Sequence, residues 1–78
     1  MDVRFYAGAA DAAGRHLEEI PGPLSVDGLL ARLGDDRPTL AQVLTRCSIL
    51  VNGRQVADPS EILPQDARVD VLPPFAGG

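Results

Sequence analysis

The sequence predicts an α+β fold, a mixed sheet with one main helix lying across one of its faces. Three observations carry that expectation. Both ends of the chain alternate with period two, at Val3, Phe5 and Ala7 and again at Val69 and Val71, as half-buried strands do. Between them Val26, Leu29, Leu30 and Leu33 recur at i, i+3, i+4 and i+7, the apolar stripe of an amphipathic helix. Asn52-Gly53 then marks a tight hairpin.

In chain order, Val3, Phe5 and Ala7 face one way and Asp2, Arg4 and Tyr6 the other, until Gly8 breaks the strand. Residues 9–13 suit one helical turn closed by Gly14. Residues 15–20 read as a second strand, although their alternation is poor. Pro21-Gly22-Pro23 forces a turn, because proline fixes φ and donates no hydrogen bond. For the main helix Ser25 is a good N-cap, Asp27 complements the first turn and Gly34 is a natural stop. Gly28 inside it costs about 1 kcal/mol relative to alanine, so packing must hold the helix. After Asp35-Asp36-Arg37-Pro38, Thr39 and Gln42 have the spacing of a capping box, and Leu40, Val43, Leu44 and Cys47 repeat the apolar stripe on a shorter helix. Residues 49–51 and 54–56 flank the hairpin turn. Asp58-Pro59 opens another turn, with a 3₁₀ turn expected through Ile62 and Leu63. Residues 68–72 form the last strand, with Val69 and Val71 inward and Arg68 and Asp70 outward. The predicted organisation is a folded domain over 1–72 and an extended tail over 73–78.

Composition narrows the function. The 78 residues are 45% hydrophobic and 23% charged, a globular balance. Eleven acidic side chains against seven basic ones give a net charge of −4. With no basic surplus to neutralise phosphates, nucleic acid is not an expected partner. A single cysteine, Cys47, excludes an internal disulfide and a cysteine-rich zinc site, and a single histidine, His16, excludes a multi-histidine one. Apolar runs such as Ile49-Leu50-Val51 are far too short to span a bilayer, so no membrane association is expected and the cytoplasm is the expected compartment. All seven basic residues are arginine, so the chain has no lysine to accept a lysine-linked polymer of itself.

The chemistry concentrates in the last residues, Leu72-Pro73-Pro74-Phe75-Ala76-Gly77-Gly78. Pro73 and Pro74 end the strand and favour a stiff exit. Beyond Leu72 the chain reaches roughly 20 Å at full extension, enough to enter a partner's active site while the body docks outside. Glycine at both final positions presents no Cβ to a narrow channel. At average glycine usage two terminal glycines arise by chance in roughly one chain in 200, and prolines and an aromatic before them make chance a weaker explanation. Phe75 reads as an aromatic anchor for a partner's pocket. Leu72, out of phase with Val69 and Val71, either contacts a partner or caps the edge of the core.

No other group forms a catalytic constellation. Cys47 falls on a helical stripe and reads as a buried core thiol. His16 has no nucleophile near it in sequence and reads as a surface strand residue. Asp35-Asp36 reads as a solvated turn rather than a metal pair.

Taken together, these residues resemble the MoaD/ThiS family of β-grasp, ubiquitin-like sulfur carriers. The likeness spans nearly the whole chain: Val3 to Ala7 as first strand, Ser25 to Leu33 as the grasped helix, Asn52-Gly53 as hairpin, and Pro73-Pro74 before Gly77-Gly78. The Leu-Pro-Pro ending and the helix from Thr39 are most like the MoaD branch, the small subunits of molybdopterin synthase. Gln65-Asp66 departs from the family's usual Gly-Asp.

The resemblance implies a carrier without catalytic machinery or a bound cofactor of its own. A MoeB/ThiF-type adenylyltransferase, using ATP and magnesium, would adenylate Gly78, and a persulfide sulfur donor would leave a thiocarboxylate there. The sulfur would pass to a pterin precursor in a MoaE-type large subunit. It also implies that Ala76, Gly77 and Gly78 thread the partner's active site, while Leu72, Pro73, Pro74 and Phe75 dock against it. Related carriers serve cysteine, thiamin or specialised-metabolite synthesis, and others modify proteins through the same glycine. A non-catalytic interaction domain is the remaining alternative.

Overall fold

The alternation at the two chain ends builds one pair of adjacent strands. The structure, a computed structural model, describes residues 1–74. Strand β1 (Asp2–Phe5) buries Val3 and Phe5, and β7 (Arg68–Leu72) buries Val69 and Val71. They pair in parallel, Asp2 beside Arg68 and Phe5 beside Val71. Around them β2 (Leu17–Glu19), β4 (Ser48–Val51) and β5 (Arg54–Val56) complete a sheet of order β2-β1-β7-β4-β5, every other pairing antiparallel. The first and last strands therefore lie at its centre.

Helix α2 (Val26–Gly34) contributes Val26, Leu29 and Leu33 to the core shared with the sheet's inner face. Ser25 caps it as predicted, its Oγ accepting from the Gly28 N–H at 2.9 Å. The N–H groups of Val26 and Asp27 donate to the carbonyls of Glu61 and Pro59, at 3.0 and 2.9 Å. These bonds satisfy donors that a helix start leaves free and fix its position.

Gly34 is the last helical residue rather than the residue beyond it. Asp35 is the C-cap, and the left-handed residue is Asp36, with φ 57°. A Cβ at Gly34 would lie 3.0 Å from the Cβ of Ala41, so glycine serves the close approach of α2 to α3 (Pro38–Leu44). Helix α3 begins with Pro38 at its first turn, where the missing N–H costs nothing, and Arg37 stands at the N-cap. The capping box expected at Thr39 is thus replaced by proline's fixed φ. Leu40 and Leu44 are buried, while Val43 and Cys47 are half-buried.

Other boundaries move for physical reasons. Strand β1 ends at Phe5, and Ala7, expected in the strand, takes φ 49° and opens α1 (Ala7–Ala13). This helix is longer than the single turn expected, because Ala9 and Ala10 are buried in the core; Gly14 closes it with φ 76°. Strand β2 is shorter than residues 15–20. Residues 62–63 form no 3₁₀ turn: β6 (Ile62–Leu63) pairs antiparallel with β3 (Leu24–Ser25), burying Leu63 completely. The predicted hairpin stands, with both central residues left-handed, Asn52 at φ 51° and Gly53 at φ 83°.

Candidate functional site

The parallel pairing of β1 with β7 brings the end of β7 beside Tyr6 and Ser48. The Tyr6 N–H donates to the Val71 carbonyl at 3.2 Å, and Ser48 of β4 faces Leu72. Leu72 and Pro73 are half-buried, and the exposed Pro74 alone of the three lines a shallow depression with Gln42, Val43, Thr45 and Arg46 at the end of α3. The predicted site residues Phe75, Ala76, Gly77 and Gly78 lie outside the described residues.

Pleating places Leu72 opposite in phase to Val69 and Val71, on the sheet face turned from the helices. One rung of that outer face runs Leu17, Arg4, Asp70, Leu50 and Gln55 across all five strands. Leu50 and Leu72 are half-buried there, Leu17 is 54% exposed and Tyr6 39%. The Tyr6 hydroxyl donates to Asp70 Oδ1 at 3.3 Å. The outer face beside the end of β7 is therefore mixed, with Leu17, Leu50, Leu72 and Tyr6 set around one arginine–aspartate register pair, Arg4 beside Asp70. Leu50, Arg46 and Ser48 were not among the predicted site residues. The signal for Leu50 was in the sequence: if Ile49 and Val51 point inward, Leu50 must point outward.

The other reactive groups stand apart from a catalytic arrangement. Cys47 is half-buried rather than fully buried, because α3 ends at Leu44 and the thiol sits in the connection to β4. Its Sγ–H donates to the Val43 carbonyl at 3.2 Å, and burial pushes the thiol above its ordinary range. His16 is exposed just ahead of β2 rather than within it, and its carbonyl accepts from the Phe5 N–H at 2.9 Å. Asp35 and Asp36 are exposed in the turn after α2. Among the described residues, no group of three or more His, Cys, Asp or Glu could hold a metal ion, and no helix is long and apolar enough to cross a membrane.

The model of the ThiS family matches residues 3–78, both terminal glycines included. The chain belongs to the ThiS family. No curated protein sequence matches it. Among solved structures, this ThiS-family chain is similar to small archaeal modifier protein 1 of Methanosarcina acetivorans, at 24% identity and a TM-score of 0.81 over 99% of this chain and 94% of that one. It is also similar to a candidate molybdopterin converting factor subunit 1 from Pyrococcus furiosus, at 25% identity and a TM-score of 0.79 over 95% of both chains. A third likeness is to the complex of subunits 1 and 2 of the molybdopterin-converting factor from Helicobacter pylori, at 23% identity and a TM-score of 0.73 over 99% of this chain and 96% of that one. The fold of this ThiS-family member is accordingly the ubiquitin-like β-grasp, with α2 as the grasped helix.

Proposed function

We propose that this chain carries sulfur on its C-terminus as the small subunit of a molybdopterin synthase. The observation that supports this most directly is the family match running through Gly77-Gly78, directly after a final strand at the sheet's centre. An α-carboxylate has an ordinary pKa near 3.5, so at neutral pH it is an anion that can attack but cannot act as an acyl donor. Attack of its oxygen on the α-phosphate of ATP releases pyrophosphate and leaves an acyl adenylate. A persulfide then displaces AMP, and cleavage of the S–S bond by a second thiol leaves the thiocarboxylate. Adenylyltransferase, magnesium and persulfide all belong to partners. The body of the domain serves as a handle that positions the tail.

A large-subunit partner is favoured by the likeness to subunit 1 in the Helicobacter pylori complex of two subunits. Leu72, Pro73 and Pro74 would dock at its entrance with Phe75, while Ala76 and Gly77 lead Gly78 inward. A second reading, attachment of Gly78 to lysines of other proteins, is favoured by the likeness to small archaeal modifier protein 1.

Incubation with ATP, a ThiF-type adenylyltransferase and a sulfur donor separates these readings. The expected product has one oxygen exchanged for sulfur by intact mass, and it supports turnover of the pterin precursor by a MoaE-type subunit. Conjugates on denaturing gels without that turnover would favour the modifier. A chain lacking Gly78 that still supports turnover would overturn both.

A further inference from the structure

A sheet packed on one face leaves the other to solvent or to a partner. All three helices share their core with the inner-face residues of β1, β4 and β7, so none of them covers the outer face. That face carries an ordered set of charges. Asp2 stands beside Arg68 and Arg4 beside Asp70, so β1 reads minus then plus where β7 reads plus then minus. Among the described residues the side chains of Asp2, Arg4 and Arg68 join no salt bridge, and Asp70 accepts only from the Tyr6 hydroxyl.

Apolar groups flank these charges in the same register. Leu17 of β2 borders Arg4, and Leu50 of β4 borders Asp70. One rung further along, Leu72 stands on the outer face of β7. Tyr6 continues β1 with an extended backbone, and its bond to Asp70 puts its ring on that face beside Leu72.

This pattern is complementary to itself. A two-fold axis along the strands, midway between β1 and β7, sets β1 against β7 of a second copy and β2 against its β4. Arg4 then faces Asp70 of the second copy, and Asp2 faces its Arg68. Leu17 faces Leu50, Tyr6 faces Leu72, and symmetry makes each contact twice. Every one of these oppositions is favourable. The other in-plane axis, across the strands between the two charged rungs, sets Leu17 against Glu19 and loses the match. The strand-parallel operation also suits aligned sheet packing, in which faces lie about 10 Å apart and strand directions agree within about 30°.

We propose that the outer face of the sheet is a self-association surface, on which a second copy of this chain docks about the strand-parallel two-fold. The matched patch, four strands by three rungs, measures roughly 14 Å each way between its outermost Cα positions, well short of a stable interface of about 800 Å² per partner. The dimer is therefore weak, with a dissociation constant on the order of 0.1–1 mM. Two copies of net charge −4 repel at long range. Physiological salt screens that repulsion beyond about 8 Å and leaves the close contacts in place. The association does not depend on the reading of Gly78 as a sulfur carrier.

Magnetic resonance of the 78-residue chain tests this directly. Within one copy Leu17 and Leu50 are three strands apart, about 14 Å, too far for a nuclear Overhauser effect. In a mixture of labelled and unlabelled chain at about 1 mM, a Leu17–Leu50 cross-peak between copies is expected, fading on dilution to about 20 µM. Arg4→Asp is expected to raise the dissociation constant about tenfold, because two symmetric pairs turn repulsive. Combining Arg4→Asp with Asp70→Arg should restore association, since the charges across the two-fold are opposite again. Leu17→Glu, at an exposed position, should weaken it about tenfold while leaving the thermal melt unchanged. A chain that tumbles as a monomer at about 1 mM would overturn the proposal and leave this face to a different protein. A dimer indifferent to Leu17→Glu, or one that the charge swap fails to restore, would overturn it as well.

Discussion

Arg37 does more for the fold than its place in a polar turn suggests. Its Nε donates to the Leu33 carbonyl at 2.9 Å, satisfying an acceptor left free at the end of α2. Its two terminal nitrogens donate to the two Glu18 carboxylate oxygens at 3.0 Å each. One guanidinium thus ties the α2–α3 turn to edge strand β2. Arg37→Ala is expected to cost about 1–3 kcal/mol in urea unfolding, because a mostly buried Glu18 loses its hydrogen-bonded charged partner and keeps only Arg15, at 3.9 Å. Arg37→Lys should recover little of that loss, since an ammonium lacks the planar fork. Cys47 gives a second test at this scale. Its folded thiol titrates above the ordinary range, so alkylation by iodoacetamide at neutral pH should be slower than in the unfolded chain and should accelerate as pH rises. The neutral thiol favours the folded state. Its contribution is complete below the unfolded value and is lost as pH rises through the folded one. The sequence revealed Cys47's apolar setting but not its partial exposure, because α3's length is set by packing and by Pro38.

Elements with local signals were legible, and those defined only by a distant partner were not. The stripe and cap of α2 and the Asn52-Gly53 turn each carry their instructions within a few residues. Strands β3 and β6, two residues each, pair across the domain and are too short for periodicity to register. Asn52 illustrates how much a local signal can hold. Its left-handed backbone suits the turn, and its Oδ1 accepts from the Arg68 N–H at 3.0 Å, clasping the hairpin to the start of β7. Asn52→Ala is expected to destabilise by about 1–2 kcal/mol, from left-handed strain and the lost bond. Asn52→Gly should lose less, since glycine accepts the backbone angle. Thermal melts of the three proteins check that order.

For the whole molecule, the proposed division into a handle and a reactive end predicts two separable phenotypes. Phe75→Ala is expected to leave thermal unfolding unchanged while weakening binding to a large subunit, measured by calorimetry, about tenfold or more, as loss of an aromatic anchor does. Unchanged affinity would remove Phe75 from the interface. Leu29→Ala, in the core beneath α2, should do the reverse, costing about 2–5 kcal/mol of stability while leaving partner contacts in place. At this scale the family was the legible part, since the match extends over residues 3–78 and the order of proline, aromatic and glycine residues that suggested it needs no tertiary context. The outer face was harder to see. Leu17, Arg4, Asp70, Leu50 and Gln55 come together only once the strand order is known.

The central position of β7 has a consequence for how the protein is made. During synthesis β1 and β4 emerge from the ribosome long before the strand that must sit between them, and each waits with an open hydrogen-bonding edge. Closure of the sheet is a late, long-range event tied to the arrival of residues 68–72, the kind of contact that slows folding. A nascent chain interrupted upstream of them lacks the middle of its sheet, and with it the strand that carries Pro73 and Pro74. Translation must therefore reach residues 68–72 before the two halves of the sheet can join.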